Sequence, residues 1–222
     1  MVSDEVTGDA MVKGLLIGLM AACCTITVPA LAQGVTAPDA LAKSVTDDVL
    51  AVLRTDKDIQ SGNTKKVVDL VEKKVLPHFD FVRMTRLALG RNWREAGPEQ
   101  QKLLVNEFRG LLVQTYAATF TAYKDQVIEY RPLRSQPGDT EVVVKSQIQQ
   151  PGGRPITVDY RMHRLDSGWK VYDVVVGELS LVQNYRGSFE TEVRKGGIDG
   201  LIKTLADKNR QLSTMQAAAD KK

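Results

Sequence analysis

The chain has 222 residues, 43% hydrophobic and 26% charged, with a formal net charge of +3 at pH 7. That length suits one domain with a real core rather than two, and that composition excludes a disordered chain and a multi-span membrane protein. The charge is too small for a dedicated nucleic-acid binder, which carries a denser basic stripe, so no nucleic-acid partner is expected.

The N-terminal stretch "MVKGLLIGLMAACCTITVPALAQG" joins Lys13, an apolar run from Leu15 to Val28, and Ala30-Leu31-Ala32. A charged segment, an apolar segment and a small-x-small site in that order predict a secretory signal peptide over residues 1–32, cut after Ala32. Asp4, Glu5 and Asp9 precede it; acids are unusual there, and Met11 is the alternative start. A transmembrane anchor fits less well, because Thr25, Thr27 and Pro29 interrupt the run and no basic cluster follows. Both cysteines, Cys23 and Cys24, lie in this segment, so a mature chain from Gln33 has no thiol for a disulfide, for zinc or for catalysis. Lipidation at Cys23 is the minor alternative. The mature chain keeps 29 basic and 24 acidic residues, a net charge of +5.

After a linker at residues 34–39, Leu41, Val45, Val49, Leu50 and Leu53 recur at helical spacing over residues 40–54, and Val67, Val68, Val71 and Val75 do so over 64–75. Pro77 ends the second helix. Asp80 is placed to cap a short helix at residues 81–89, which Gly90 stops; Trp93 follows in a connector. Pro98 opens the longest helix, residues 98–124, with Leu104, Phe108, Leu111, Leu112, Tyr116, Phe120 and Tyr123 as its apolar stripe.

The period then changes to two. Residues 126–133, 140–149, 155–165 and 169–176 read as four strands, separated by the turns "SQPGD", "QPGGRP" and "DSG". Turns this short imply an antiparallel meander. Helix returns over residues 180–195 and 200–210, and the tail 213–222 reads as frayed. Residues 33–212 therefore form a single α+β domain, a four-stranded curved sheet wrapped around helices.

One strand parity is apolar, with Val142, Val144 and Ile148 on one strand and Ile156, Val158, Tyr160 and Met162 on the next. The other parity is mostly polar. The last strand breaks this rule: Trp169, Val171 and Val175 alternate with Tyr172, Val174 and Val176, so both its faces read as apolar and both need cover. The apolar face is expected to meet the long helix's stripe and Leu181, Val182 and Tyr185. Patterning alone leaves open a closed core or an internal apolar cavity.

Reactive groups are sparse. His78 and His163 read as surface or capping residues, with His163 on the polar parity. No HExxH, His/Cys cluster, calcium loop or phosphate loop occurs, and no metal or cofactor is expected. Asp173 is the one acid inside an apolar strand: either a buried general base or, the blander reading, a partner for an arginine or a backbone cap.

The segments "HFDFVRMTRLALGRNWREAGPEQQ", "EFRGLLVQTYAATFTAY", "WKVYDVV" and "SLVQNYRGSFETEVRKGGIDGLIKTL" resemble, in this order, the periplasmic carriers of the Mla (maintenance of lipid asymmetry) phospholipid-transport system, the toluene-tolerance auxiliary protein family. The resemblance spans about residues 36–212, and its most specific parts are "LGRNWREA" and "SLVQNYR". This chain has Gly177-Glu178 where the family pattern has Glu-Gly.

The resemblance implies a nuclear-transport-factor-like cone with an apolar cavity, no enzymatic activity, phospholipid as cargo and no cofactor. It implies a periplasmic shuttle between an outer-membrane lipoprotein complex and the substrate-binding component of an inner-membrane ABC transporter. The lipid-facing set is then Phe108, Leu111, Leu112, Tyr116 and Phe120 of the long helix, Val142, Val144, Ile148, Ile156, Val158, Tyr160, Met162 and Val174 of the strands, and Leu181 and Tyr185 beyond them. The competing readings are a small-molecule isomerase or dehydratase on the same cone, with Asp173 and Tyr160 or Tyr172 as its acid-base pair, and a solid-core periplasmic chaperone or adaptor.

Overall fold

The computed structural model describes residues 36–121, 126–136, 138–150 and 152–219, and the predicted signal peptide lies outside them. Side-chain caps start several of the helices. Helix α1 (Pro38–Thr55) has a proline in its first turn, where a missing N–H costs nothing. Asp56 caps the short α2 (Lys57–Gln60), and Asn63 caps α3 (Thr64–Lys74). Asp80 accepts from the Arg83 N–H at 2.8 Å to start α4 (Phe81–Leu89), as its position predicts. Gly90 ends α4 at φ 59°, in a conformation that side chains resist. Trp93 sits in a 3-10 turn, Gly90–Arg94, and α5 (Pro98–Thr121) follows.

The sheet is an antiparallel meander in the order β1 (Ile128–Tyr130), β2 (Glu141–Ile148), β3 (Ile156–Leu165), β4 (Gly168–Val176) and β5 (Leu179–Ser180). It has five strands rather than the four expected. The extra one is two residues long, too short to show an alternation, and it pairs with Val175 and Val176 across a turn at Gly177 with φ 65°. The α+β class is as predicted. Helix α6 (Leu181–Ala219) bends at Gly197, whose φ of 67° and ψ of −167° are not helical. That break falls between the two helices read from the sequence. Residues 213–219 continue α6 instead of fraying. Ser213 Oγ donates to Gln114 Oε1 at 3.1 Å, and Gln216 Nε2 to the Gln114 carbonyl at 3.4 Å. Polar contacts hold this turn, so no apolar period announces it.

A β-bulge resolves the two-faced reading of β4. Arg161 lies opposite Asp173 and Met162 opposite Val171, so Tyr172 is the extra residue. Each side chain after the bulge changes face. Trp169, Val171 and Val174 therefore share the inner cluster, although the sequence places Val171 and Val174 back to back. The outer face of β4 then carries Lys170, Asp173 and Val175, opposite His163, Arg161 and Asp159 of β3.

The buried apolar residues divide into three clusters. One joins α4, α5 and α6; the second joins α1, α2, α3 and Ala117 of α5; the third lines the inner face of the sheet.

Candidate functional site

The inner face of the sheet is built in rows. Val142, Met162 and Val171 form one row; Val144, Tyr160 and Val174 form the next; Tyr130, Ser146, Val158 and Val176 form a third, and Ile128, Ile148 and Ile156 close the end. Parity governs exposure here, since Val144 is 1% exposed and its neighbour Val143 is 42% exposed.

Among these rows no side chain carries a charge at neutral pH. Burial pushes the Tyr160 and Tyr130 phenols upward, and the nearby Tyr160 adds to the effect on Tyr130. Ser146 Oγ spends its proton on the Val158 carbonyl at 2.8 Å. Tyr130 Oη lies 2.6 Å from Thr46 Oγ1 and donates to the Ala42 carbonyl at 3.2 Å, which ties α1 to this face. Leu41, Ala42, Phe79 and Leu181 pack against it. Such a surface can hold hydrocarbon and carries no carboxylate, imidazole or amine.

The long helix does not meet the sheet in one cluster. Phe108, Leu111 and Leu112 pack with α4 and α6, beside Tyr116 and Tyr185. Phe108 is fully buried, with the Tyr185 and Phe189 rings each at 5.1 Å. Phe120 packs against the α1–α3 cluster. A stripe this wide is shared among several helical neighbours, which periodicity cannot reveal. Val142, Val144, Val158, Met162 and Val174 do come together, joined by Ile148, Ile156, Tyr160 and Leu181. Phe79 packs against both the sheet cluster and the α4–α6 cluster. It also lines a solvent-open groove of about 540 Å³ with Leu76, Phe81, Val82 and Leu165, whose mixed walls include Glu72, Arg109 and Lys170.

Asp173 takes the blander of its two roles. It is 2% exposed. Its Oδ2 accepts from Ser180 Oγ at 2.6 Å and from Arg161 Nη1 at 3.3 Å, and its Oδ1 accepts from the Val182 N–H at 3.2 Å. Ser180 Oγ in turn accepts from the Gln183 N–H at 3.1 Å. The two side chains together cap α6.

His163 keeps its outer-face parity but is buried at 8% exposure, which corrects the surface reading. Its Nε2 lies 2.9 Å from Asp80 Oδ2 without the direction of a hydrogen bond, and the Tyr172 ring covers it edge-on at 5.6 Å. The bulge aims Tyr172 at this spot. Arg83 stacks on the same ring at 3.8 Å and binds Glu141 at 2.5 Å, and Tyr172 Oη donates to Glu141 at 3.1 Å. Arg83 thereby holds the Glu141 carboxyl below its usual range. No local pattern foretells a cluster whose members are 58 residues apart. Among the described residues no group of three or more metal-binding side chains occurs, and no helix is long and apolar enough to cross a membrane.

The family model described as MlaC protein matches residues 43–207. The toluene tolerance protein ttg2D of Pseudomonas putida is 24% identical over 209 residues, covering 94% of each chain. The intermembrane phospholipid transport system binding protein MlaC of Haemophilus influenzae is 23% identical over 180 residues, covering 80% of this chain and 83% of its own. Among solved structures, the phospholipid-binding protein of Ralstonia solanacearum in complex with a phospholipid matches with a TM-score of 0.73 and 39% identity, covering 79% of this chain and 98% of that one.

Proposed function

The chain belongs to the MlaC protein family, and from that premise we propose that it is a periplasmic phospholipid carrier whose cargo chains lie against the inner face of the sheet, in an apolar cavity of a cone-like domain. The observation that carries this reading is the uncharged inner face, with every acidic and basic side chain of β2–β4 either outside it or at its rim. The phospholipid held by the Ralstonia relative supports it. The buried residues of the sheet form their own cluster, which Phe79 joins to the α4–α6 cluster.

The energetics suit a carrier. Two acyl chains contain on the order of 30 methylenes, and at ~0.8 kcal/mol each their exposure to water costs roughly 20–25 kcal/mol. Unassisted crossing of an aqueous compartment is then negligible. An apolar cavity makes the exchange nearly neutral, because cavity and bilayer both exclude water. No bond is made or broken, and with Asp173 committed to capping α6 the isomerase reading has no carboxylate on the inner face of the sheet.

In this reading the headgroup stays at the cavity mouth. The domain at residues 33–212 shuttles lipid between an outer-membrane lipoprotein complex and the substrate-binding component of an inner-membrane ABC transporter. Export removes residues 1–32, so the intact mass of the exported protein should correspond to a chain starting at Gln33.

The test is transfer of labelled phospholipid from donor to acceptor vesicles. The rate should rise in proportion to the concentration of mature protein. A rate equal to the protein-free control would overturn the proposal.

A further inference from the structure

The two most specific segments, "LGRNWREA" and "SLVQNYR", are brought together in space, and the cargo site does not use their arginines. Gly90 ends α4 at φ 59° with its N–H on the Arg86 carbonyl. A Cβ there would lie 3.3 Å from Arg186 Nη2, 3.5 Å from Nε and 3.6 Å from Cζ. The bare glycine leaves room for the Arg186 guanidinium across the turn. One helical turn further along α6, Glu190 meets Arg91 at 3.5 Å, and Arg194 follows four residues on along the same face. Arg94 is three residues from Arg91 in the 3-10 turn, where side chains at that spacing eclipse.

Arg86, Arg91, Arg94, Arg186 and Arg194 are all exposed. The carboxylates placed among them by sequence or contact are Glu95 and Glu190. Among the described residues Arg86, Arg94, Arg186 and Arg194 make no ion pair. Half-buried Trp93 lies between Arg91 and Arg94.

We infer that this arginine seam, where the Gly90–Arg94 turn meets α6, is an anion-binding surface that docks the protein on the phosphate layer of an anionic phospholipid bilayer. From Arg186 to Arg194 the helix rises about 12 Å, so the seam spans an array of phosphates rather than one buried anion. Guanidinium forks match phosphate oxygens two at a time. Trp93 packs half-buried against the α4–α6 cluster, and a partly exposed tryptophan suits the headgroup region. The inference rests on the carrier reading, because both complexes between which such a carrier moves sit in phospholipid bilayers.

The test is cosedimentation of the mature protein with vesicles of phosphatidylethanolamine and phosphatidylglycerol, and with vesicles of phosphatidylcholine alone. Wild type should bind the anionic vesicles, release in high salt, and ignore the phosphatidylcholine vesicles. At roughly fivefold per basic side chain near such a surface, the triple variant Arg86→Gln, Arg94→Gln, Arg186→Gln should lose about a hundredfold in affinity. The pair Arg94→Gln, Arg194→Gln removes no side-chain hydrogen bond or ion pair among the described residues and should lose about 25-fold. The charge-matched control Lys57→Gln, Lys65→Gln, Lys73→Gln, on α2 and α3, should lose less than about fivefold, the value of one well-placed charge.

Equal losses in seam and control variants would overturn the inference in favour of net charge alone. Absence of wild-type binding would overturn it too, as would binding to polyglutamate that falls with the arginines while vesicle binding does not. Organic extraction of the same preparations separates the two readings. Bound phospholipid with no vesicle docking removes only the seam, and an extract without lipid removes the carrier.

Discussion

Val144→Glu is expected to purify as a folded protein stripped of lipid, whereas Val143→Glu should stay folded and lipid-replete. The two residues are adjacent on β2 and point to opposite faces. Val144 is 1% exposed, opposite Tyr160 in the uncharged inner cluster, while Val143 is 42% exposed opposite Arg161. A carboxylate at position 144 has no cation within its rows, and an unpaired charge among acyl chains costs several kcal/mol or forces protonation. Expelling the lipid lets water reach the carboxylate, so the cost falls on cargo binding more than on folding. Copurified lipid per protein should drop at least tenfold for Val144→Glu, with a lower melting temperature. At position 143 the new carboxylate faces the Arg161 guanidinium, and both quantities should stay close to wild type. Equal lipid content in the two folded variants would remove the inner face as the binding surface. Unfolding of Val144→Glu alone would favour a closed core.

Asp173→Ala should be the most destabilising change on the outer face of the sheet. It strands the Ser180 hydroxyl and the Val182 N–H at the start of α6 and frees Arg161. Leaving buried partners unsatisfied costs on the order of 3 kcal/mol. In a domain of this size that corresponds to a loss of roughly 6–12 °C in melting temperature. The folded fraction should keep its lipid, because Asp173 lies on the face away from the inner cluster. A melting temperature within about 2 °C of wild type would refute the capping role. Lipid lost without loss of stability would place Asp173 in the cargo site.

Features that a single side chain determines were legible in the sequence. The Asp80 cap rests on one side-chain hydrogen bond, and the Gly90 stop, the Pro98 start and the break between the two halves of α6 each rest on one residue's backbone preference; each is present. The inward parity of β2 was legible because charged and polar residues mark its outer face. What stayed hidden depends on partners. The Tyr172 bulge is a matter of register between strands, and counting by twos along β4 alone could only return two apolar faces. His163 is buried by Asp80, distant in sequence, and by Tyr172, which only the bulge in β4 aims at it. The apolar stripe of α5 was visible, but its neighbours were not: Phe108 went to α6 and Phe120 to the α1–α3 cluster. Periodicity says which side of an element avoids water and is silent on what covers it. The "LGRNWREA" and "SLVQNYR" segments were distinctive as text, and their link emerges only from the Arg186 guanidinium lying over Gly90.

The central claim is that the inner face of the sheet carries phospholipid. Mass spectrometry of the exported, purified protein tests it most directly, first under native conditions and then after organic extraction. The account predicts a native mass above that of the chain from Gln33 by the mass of a phospholipid, and an extract containing that phospholipid in near-stoichiometric amount. A native mass equal to the bare chain, with an extract free of phospholipid, would contradict it.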